Sequence, residues 1–217
     1  LCNLRCKILK NNEKMFIKSG FEYLGNIDGN FARQLGKQIF KEIDIENLFI
    51  ENKKDSEKYI NIKTNPMPGR NMAEKMQISK FFENDSITKS FKRICGERYR
   101  ILDYKFVLGV PTTYMPDWVR DELGGKAQAN LGKYIKPDKR IMTYFNGLDF
   151  HQDIIDFPSR NPDFATFYYY LTDVTIKESP LVVLKNSHKF GPMVFPHEIE
   201  INNKKIFLKN EKFEEEV

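Results

Sequence analysis

The stretch Arg100-Ile101-Leu102-Asp103-Tyr104-Lys105-Phe106-Val107-Leu108-Gly109-Val110-Pro111 decides the fold class, because the period of the chain changes there. Leu102, Tyr104, Phe106, Leu108 and Val110 alternate with Asp103, Lys105 and Gly109, the pattern of a strand with one buried face, and Pro111 ends it. Upstream, apolar residues keep helical spacing instead. Phe31, Leu35, Ile39 and Ile43 recur every fourth position with Phe40 beside them, which predicts a helix over Asn30 to Ile45 entered through Asp28-Gly29. A second helix is predicted from Ser86, as its N-cap, through Ile87, Phe91 and Ile94 to a stop at Gly96. Between them Asn65-Pro66-Met67-Pro68-Gly69 reads as loop.

Downstream of Pro111 the strand pattern is interrupted and then resumes. Residues 112 to 138 read as an excursion, with a short helix around Trp118 to Leu123 broken by Gly124-Gly125. Strands are predicted at Arg140 to Phe145, at Phe164 to Leu171 (apolar on both faces, hence buried) and at Leu181 to Leu184. Glu198 to Ile201 and Lys204 to Leu208 flank Asn202-Asn203, a pair suited to a two-residue hairpin. Helices followed by strands indicate an α+β fold with a β-sandwich or barrel at its centre. No linker or repeat divides the chain, so residues 1 to 217 are read as a single domain, helical over about 1–98 and β over about 99–217.

Composition narrows the function. Among 217 residues, 41% hydrophobic and 30% charged is too apolar for disorder and too polar for a membrane bundle. No stretch approaches the roughly 18–20 apolar residues of a membrane span, so no membrane partner is expected. Lys and Arg exceed Asp and Glu by 35 to 30, but the cations are scattered, so no continuous groove for nucleic acid is announced. That mildly basic surface suits small acidic ligands. Cys2, Cys6 and Cys95 form no CxxC, which argues against a disulfide scaffold or structural zinc and for a reducing, cytoplasmic setting. The start Leu1-Cys2-Asn3-Leu4-Arg5 lacks both a secretory apolar core and an initiator Met, and the chain is read as part of a longer protein.

Only three histidines occur, and one of them sits in a chemically suggestive pattern. In His151-Gln152-Asp153 a spacing of two puts imidazole and carboxylate on the same side of extended backbone, within reach of one ion. With a second histidine from elsewhere, such a pair makes the two-His-one-carboxylate site of non-haem Fe(II) oxygenases. The competing reading is a His and an Asp that fix a loop by hydrogen bonds.

The surrounding sequence, His151-Gln152-Asp153-Ile154-Ile155-Asp156-Phe157-Pro158, then Phe164 to Asp173, then Ser179-Pro180-Leu181-Val182-Val183-Leu184-Lys185-Asn186-Ser187-His188-Lys189, resembles the phytanoyl-CoA dioxygenase family. Leu171-Thr172-Asp173 is similar to that family's turn after the buried strand. The resemblance is dense over 140–192 and thinner over the Gly20-Phe21 to Ile43 stretch. It implies a double-stranded β-helix of jelly-roll type with N-terminal helices packed on it, and a dioxygenase using Fe(II), 2-oxoglutarate and O2 on a small-molecule substrate. His151 and Asp153 would be the catalytic metal ligands. Because Asp153 stands where related halogenases carry a small residue, the resemblance implies a hydroxylase and not a halogenase.

This chain departs from the family pattern as well. Lys185-Asn186-Ser187-His188 replaces a Pro-Gly-Ser-His turn, and Ser179 stands where Gly is usual. The resemblance places the third ligand, a histidine, and a 2-oxoglutarate-binding arginine beyond Val217, with His188 and His197 as the alternatives within the chain. By the resemblance His188 is a neighbour of the site and not a ligand. Tyr144, Asn146, Lys105 and Tyr168 are the candidates for binding 2-oxoglutarate or substrate. Tyr168 and Tyr170 share one face and Tyr169 the other, a pattern that also fits core packing. The basic cluster Lys133 to Arg140 reads as a solvated loop able to attract an acidic substrate, and Glu214 to Glu216 as exposed charge. A second reading of the chain is a non-catalytic jelly-roll domain that binds a ligand or partner and has a degenerate metal site.

Overall fold

Asp28 opens the first long helix, its carboxylate accepting the Phe31 amide at 2.9 Å. In a computed structural model, which describes residues 2–7, 18–26, 28–59, 68–156, 164–175, 180–190, 199–202 and 205–208, this helix, α1, spans Gly29–Glu42 and buries Ala32, Leu35, Gly36 and Ile39. It follows the predicted stripe but ends before Ile43, which is extended. A short α2 covers Lys53–Glu57. The following helix α3, Pro68–Lys75, corrects the loop reading of Pro68-Gly69: proline at the start of a helix forfeits no hydrogen bond. Asn65 to Met67 lie outside the described residues.

Gly69 also has a packing reason. A Cβ there would collide with the carbonyl of Phe106, so α3 lies closer to the sheet than any other residue would allow. A 3-10 segment, Ile78–Glu83, leads into α4, Asp85–Cys95, and Gly96 ends it at φ 86° as predicted. The N-cap is Asn84 and not Ser86. Its side-chain oxygen accepts the amides of Ser86 at 3.0 Å and Ile87 at 3.4 Å, while Ser86 already sits inside the first turn.

The principal sheet has the order β3-β2-β1-β4, built from β1 (Cys2–Lys7), β2 (Ile101–Gly109), β3 (Thr143–Phe145) and β4 (Phe164–Tyr169). Strand β1 runs antiparallel to both neighbours, Leu4 standing opposite Tyr104 on one side and Phe167 on the other. Strands β2 and β3 are parallel, with Leu108 opposite Tyr144. The division into a helical part and a β part is therefore corrected, because the first described residues are the inner strand that joins β2 to β4. The excursion contains α5, Asp117–Leu123, closed by Gly124 at φ 56° as its sequence predicts.

Two predicted strands change. Leu181 to Leu184 is not a strand; among the described residues it has no ladder partner, and the Leu181 amide donates instead to the Tyr170 hydroxyl at 2.8 Å. The hairpin pairs β5 (Ile199–Asn202) with β6 (Lys205–Leu208), Asn202 standing opposite Lys205, so Asn202 belongs to the ladder and not to the predicted turn, while Asn203 and Lys204 lie outside the described residues.

The helices and the sheet close over an aromatic core. Phe81 stacks on Phe31 with ring centres 5.1 Å apart and meets Tyr169 at 4.5 Å, while Phe91 meets Phe167 at 4.6 Å. Phe106, Leu35, Ile39, Met72, Ile78 and Ile87 fill the space between. The observed class is α+β. Among the described residues no helix is long and apolar enough to cross a membrane.

Candidate metal centre

Strand β3 delivers the chain to the site, and Asn146 secures its exit. The Asn146 side-chain amide donates to the Val110 carbonyl at 2.7 Å, and its backbone exchanges both hydrogen bonds with Gln128 at 2.8 and 2.9 Å. Gly147, at φ 74°, then turns the chain toward His151. A 3-10 turn, Asp153–Asp156, starts at the last residue of the motif.

His151 Nε2 lies 3.5 Å from Asp153 Oδ1, with the two side chains 25% and 16% exposed. The His151 Nδ1 edge is 2.7 Å from the Asp149 carbonyl. A carbonyl only accepts, so Nδ1 carries the proton in this contact and, in the neutral imidazole, Nε2 presents its lone pair toward the carboxylate. Ligand bonds from imidazole nitrogen and carboxylate oxygen to a first-row metal run about 2.0–2.2 Å, so a separation of 3.5 Å lies within the span of one ion. A ring nitrogen fixed by a backbone carbonyl is also the arrangement that orients a ligating histidine. These residues fit a divalent metal as two of its ligands.

The other face of the carboxylate meets β4. Thr166 Oγ1 donates to Asp153 Oδ2, and the Tyr168 hydroxyl lies 3.1 Å from Oδ2 and 3.4 Å from Oδ1. The expectation that this strand is buried on both faces is thereby corrected: Ala165, Phe167 and Tyr169 face the core, whereas Thr166 and Tyr168 face the Asp153 carboxylate. Tyr169 packs as a core residue and donates its hydroxyl to the Asp28 carbonyl at 2.9 Å. The sequence reading passes over Thr166. The signal for it is the alternation of hydroxyl-bearing residues with core residues along a strand that follows the HxD motif at short range.

The remaining candidates separate. Lys105, Asn146, Tyr168 and His188 line the same open cleft as His151 and Asp153, of about 2790 Å³. Tyr144 does not line it. That residue is 1% exposed, donates to the Lys139 carbonyl at 3.0 Å, and has its pKa pushed up to about 12 by burial, so it belongs to the core. The reason is β-strand alternation, which turns Tyr144 away from the face shared by Thr143 and Phe145. The ring of His188 packs over Gly20, whose φ of 82° and missing Cβ make room for it. Among the described residues no three His, Cys, Asp or Glu side chains converge, so His188 does not complete a ligand set there. His197 and Glu214 to Glu216 lie outside the described residues.

The basic cluster keeps Lys133 exposed, as a solvated loop should, but ties its charges to neighbouring carboxylates and buries Arg140. Lys133 pairs with Glu122 at 2.9 Å, Lys139 with Asp44 at 3.4 Å and Lys136 with Glu51 at 3.9 Å, while Arg140 is buried with its Nε on the Ile135 carbonyl at 2.9 Å. Lys133 and the Tyr134 hydroxyl together hold the Glu122 carboxyl below its ordinary pKa. Cys95 is fully buried beside Ala165. Compared with known proteins, the chain matches no family model, no curated protein and no solved structure.

Proposed function

We propose that this chain carries the iron-binding motif of an Fe(II)- and 2-oxoglutarate-dependent dioxygenase, built on a double-stranded β-helix, that hydroxylates a small-molecule substrate. The observation that carries the reading is the convergence of His151 Nε2 and Asp153 Oδ1 at the edge of a large cleft, each held by a partner on its far side. The phytanoyl-CoA dioxygenase-like sequence over 140–192 supports it. Bound by these residues, iron with 2-oxoglutarate and O2 supplies the oxidising chemistry. The protein's own part begins with His151, whose tautomer the Asp149 carbonyl selects. Asp153 adds a negative charge beside it, and Lys105, which lines the same cleft, offers a cation to a carboxylate of cosubstrate or of an acidic substrate.

Anaerobic Fe(II) titration of the full-length protein tests the assignment. His151→Ala and Asp153→Ala are expected to abolish high-affinity binding, and unchanged affinity in both overturns it. A further expectation concerns the product. With a carboxylate at 153, turnover in excess chloride or bromide yields hydroxylated and not halogenated product by mass spectrometry, and a halogenated product refutes that part of the reading. One observation favours a non-catalytic ligand-binding domain instead, namely that no third metal-ligating side chain joins His151 and Asp153 among the described residues. The same titration separates the two readings, since a domain without a metal site shows no His151-dependent Fe(II) binding.

A further inference from the structure

Strand β4 runs directly behind the carboxylate of Asp153. Its backbone is held by β1, with Thr166 opposite Arg5 and Tyr168 opposite Asn3 in the antiparallel ladder. Positions 166 and 168 fall on one face by the two-residue period of the strand. Both side chains are stiff. Threonine is branched at Cβ and restricted at χ1, and the tyrosine hydroxyl sits at the end of a rigid ring. Both hydroxyls donate to Asp153 Oδ2, with Tyr168 also 3.4 Å from Oδ1. Oδ1 is the oxygen that faces His151 Nε2.

We infer that Thr166 and Tyr168 are positioning residues for the metal site, holding Asp153 through Oδ2 so that Oδ1 is presented together with His151 Nε2. The inference rests on the iron-site reading. Its physical basis is that a carboxylate on a short 3-10 turn has two equivalent oxygens and a free terminal torsion. Two charge-assisted hydrogen bonds from a strand select one orientation before any ion arrives. Neither hydroxyl is assigned as a ligand. The division of labour between the two oxygens distinguishes this from a loop anchor: an anchor would stabilise residues 151–156 without regard to which oxygen faces His151.

The test is Co(II) titration of the full-length protein under anaerobic conditions, followed by the visible absorption of the bound ion, for the native chain and for Thr166→Val, Tyr168→Phe, the double variant combining these two, Thr166→Ser and His151→Ala. Removing either hydroxyl is expected to weaken Co(II) binding about 10-fold, and removing both about 100-fold, the range of outer partners of metal ligands. The spectrum of the remaining complex should shift as the carboxylate reorients. Thr166→Ser, which restores the donor, is expected to bind within about twofold of the native chain. If Thr166→Val and Tyr168→Phe bind Co(II) as the native protein does while His151→Ala does not, the positioning role is wrong and the iron site stands. If His151→Ala binds as the native chain does, the iron-site reading itself fails and the inference falls with it. Circular dichroism confirms the fold of each variant; should the double variant unfold, the two single variants and the serine rescue decide.

Discussion

The two faces of β4 use the same backbone for different ends. On one face Phe167 meets Phe91 and Tyr169 meets Phe81 in the aromatic core; on the other, Thr166 and Tyr168 touch a single carboxylate at the rim of an open cleft. The core face gains from area removed from water, an effect that is large and indifferent to direction. The cleft face, where Thr166 and Tyr168 are half-buried, depends in addition on which atom points where. Stability and chemistry should therefore separate by the parity of the residue along one strand, and the separation can be challenged experimentally.

The largest effect expected is on the core side. Phe91 is 3% exposed and packs against Phe82, Tyr99 and Phe167, so Phe91→Ala should cost about 3–5 kcal/mol in urea unfolding. A loss below about 1 kcal/mol would show that this face is not the foundation proposed here.

Alkaline pH probes the core by another route. Tyr144 is neutral in the folded protein with a pKa raised to about 12, against 10.0 for an ordinary tyrosine. Below pH 10 both states keep the proton and the full contribution is present. As pH rises from about 10 to about 12, the unfolded chain ionises first, and stability should fall by about 2–3 kcal/mol. Tyr144→Phe should remove that part of the slope, and an unaltered slope would place the titration elsewhere.

Smaller still is the cap of α4. Asn84→Ala leaves two amides without their acceptor and should cost about 1 kcal/mol by thermal or urea unfolding, whereas Ser86→Ala should cost less than about half of that. The reverse order would return the cap to Ser86. The smallest stability change is expected on the cleft side. His151→Ala should shift unfolding by less than about 1 kcal/mol while removing metal binding, because its partly exposed ring is held by a hydrogen bond to the Asp149 carbonyl and is not among the residues of the aromatic core. A loss comparable to that of Phe91→Ala would break the contrast between the faces.

How much of this could be read in advance follows the reach of each signal. The stripe Leu35 and Ile39 announces α1, and Phe91 with Ile87 announces α4, because helical periodicity is carried by neighbours three and four residues apart. The proximity of His151 and Asp153 is equally local, needing only two residues of backbone. Local chemistry misleads where two readings share one residue. Pro68-Gly69 looks like a breaker but opens a helix, and Ser86 looks like a cap beside an Asn84 that caps better.

The sequence by itself determined the change of period at Arg100, the α+β class that follows from it and the pairing of one imidazole with one carboxylate. Tertiary structure alone decided that Cys2–Lys7 lies between β2 and β4, that Tyr144 turns into the core and that Thr166 and Tyr168 stand behind Asp153. The physical reason is the range of the interactions. A side-chain period is written into consecutive residues, but a strand acquires its partners from ladders between segments far apart in the chain. Only once those ladders set the register does a given face meet either aromatic rings or a carboxylate.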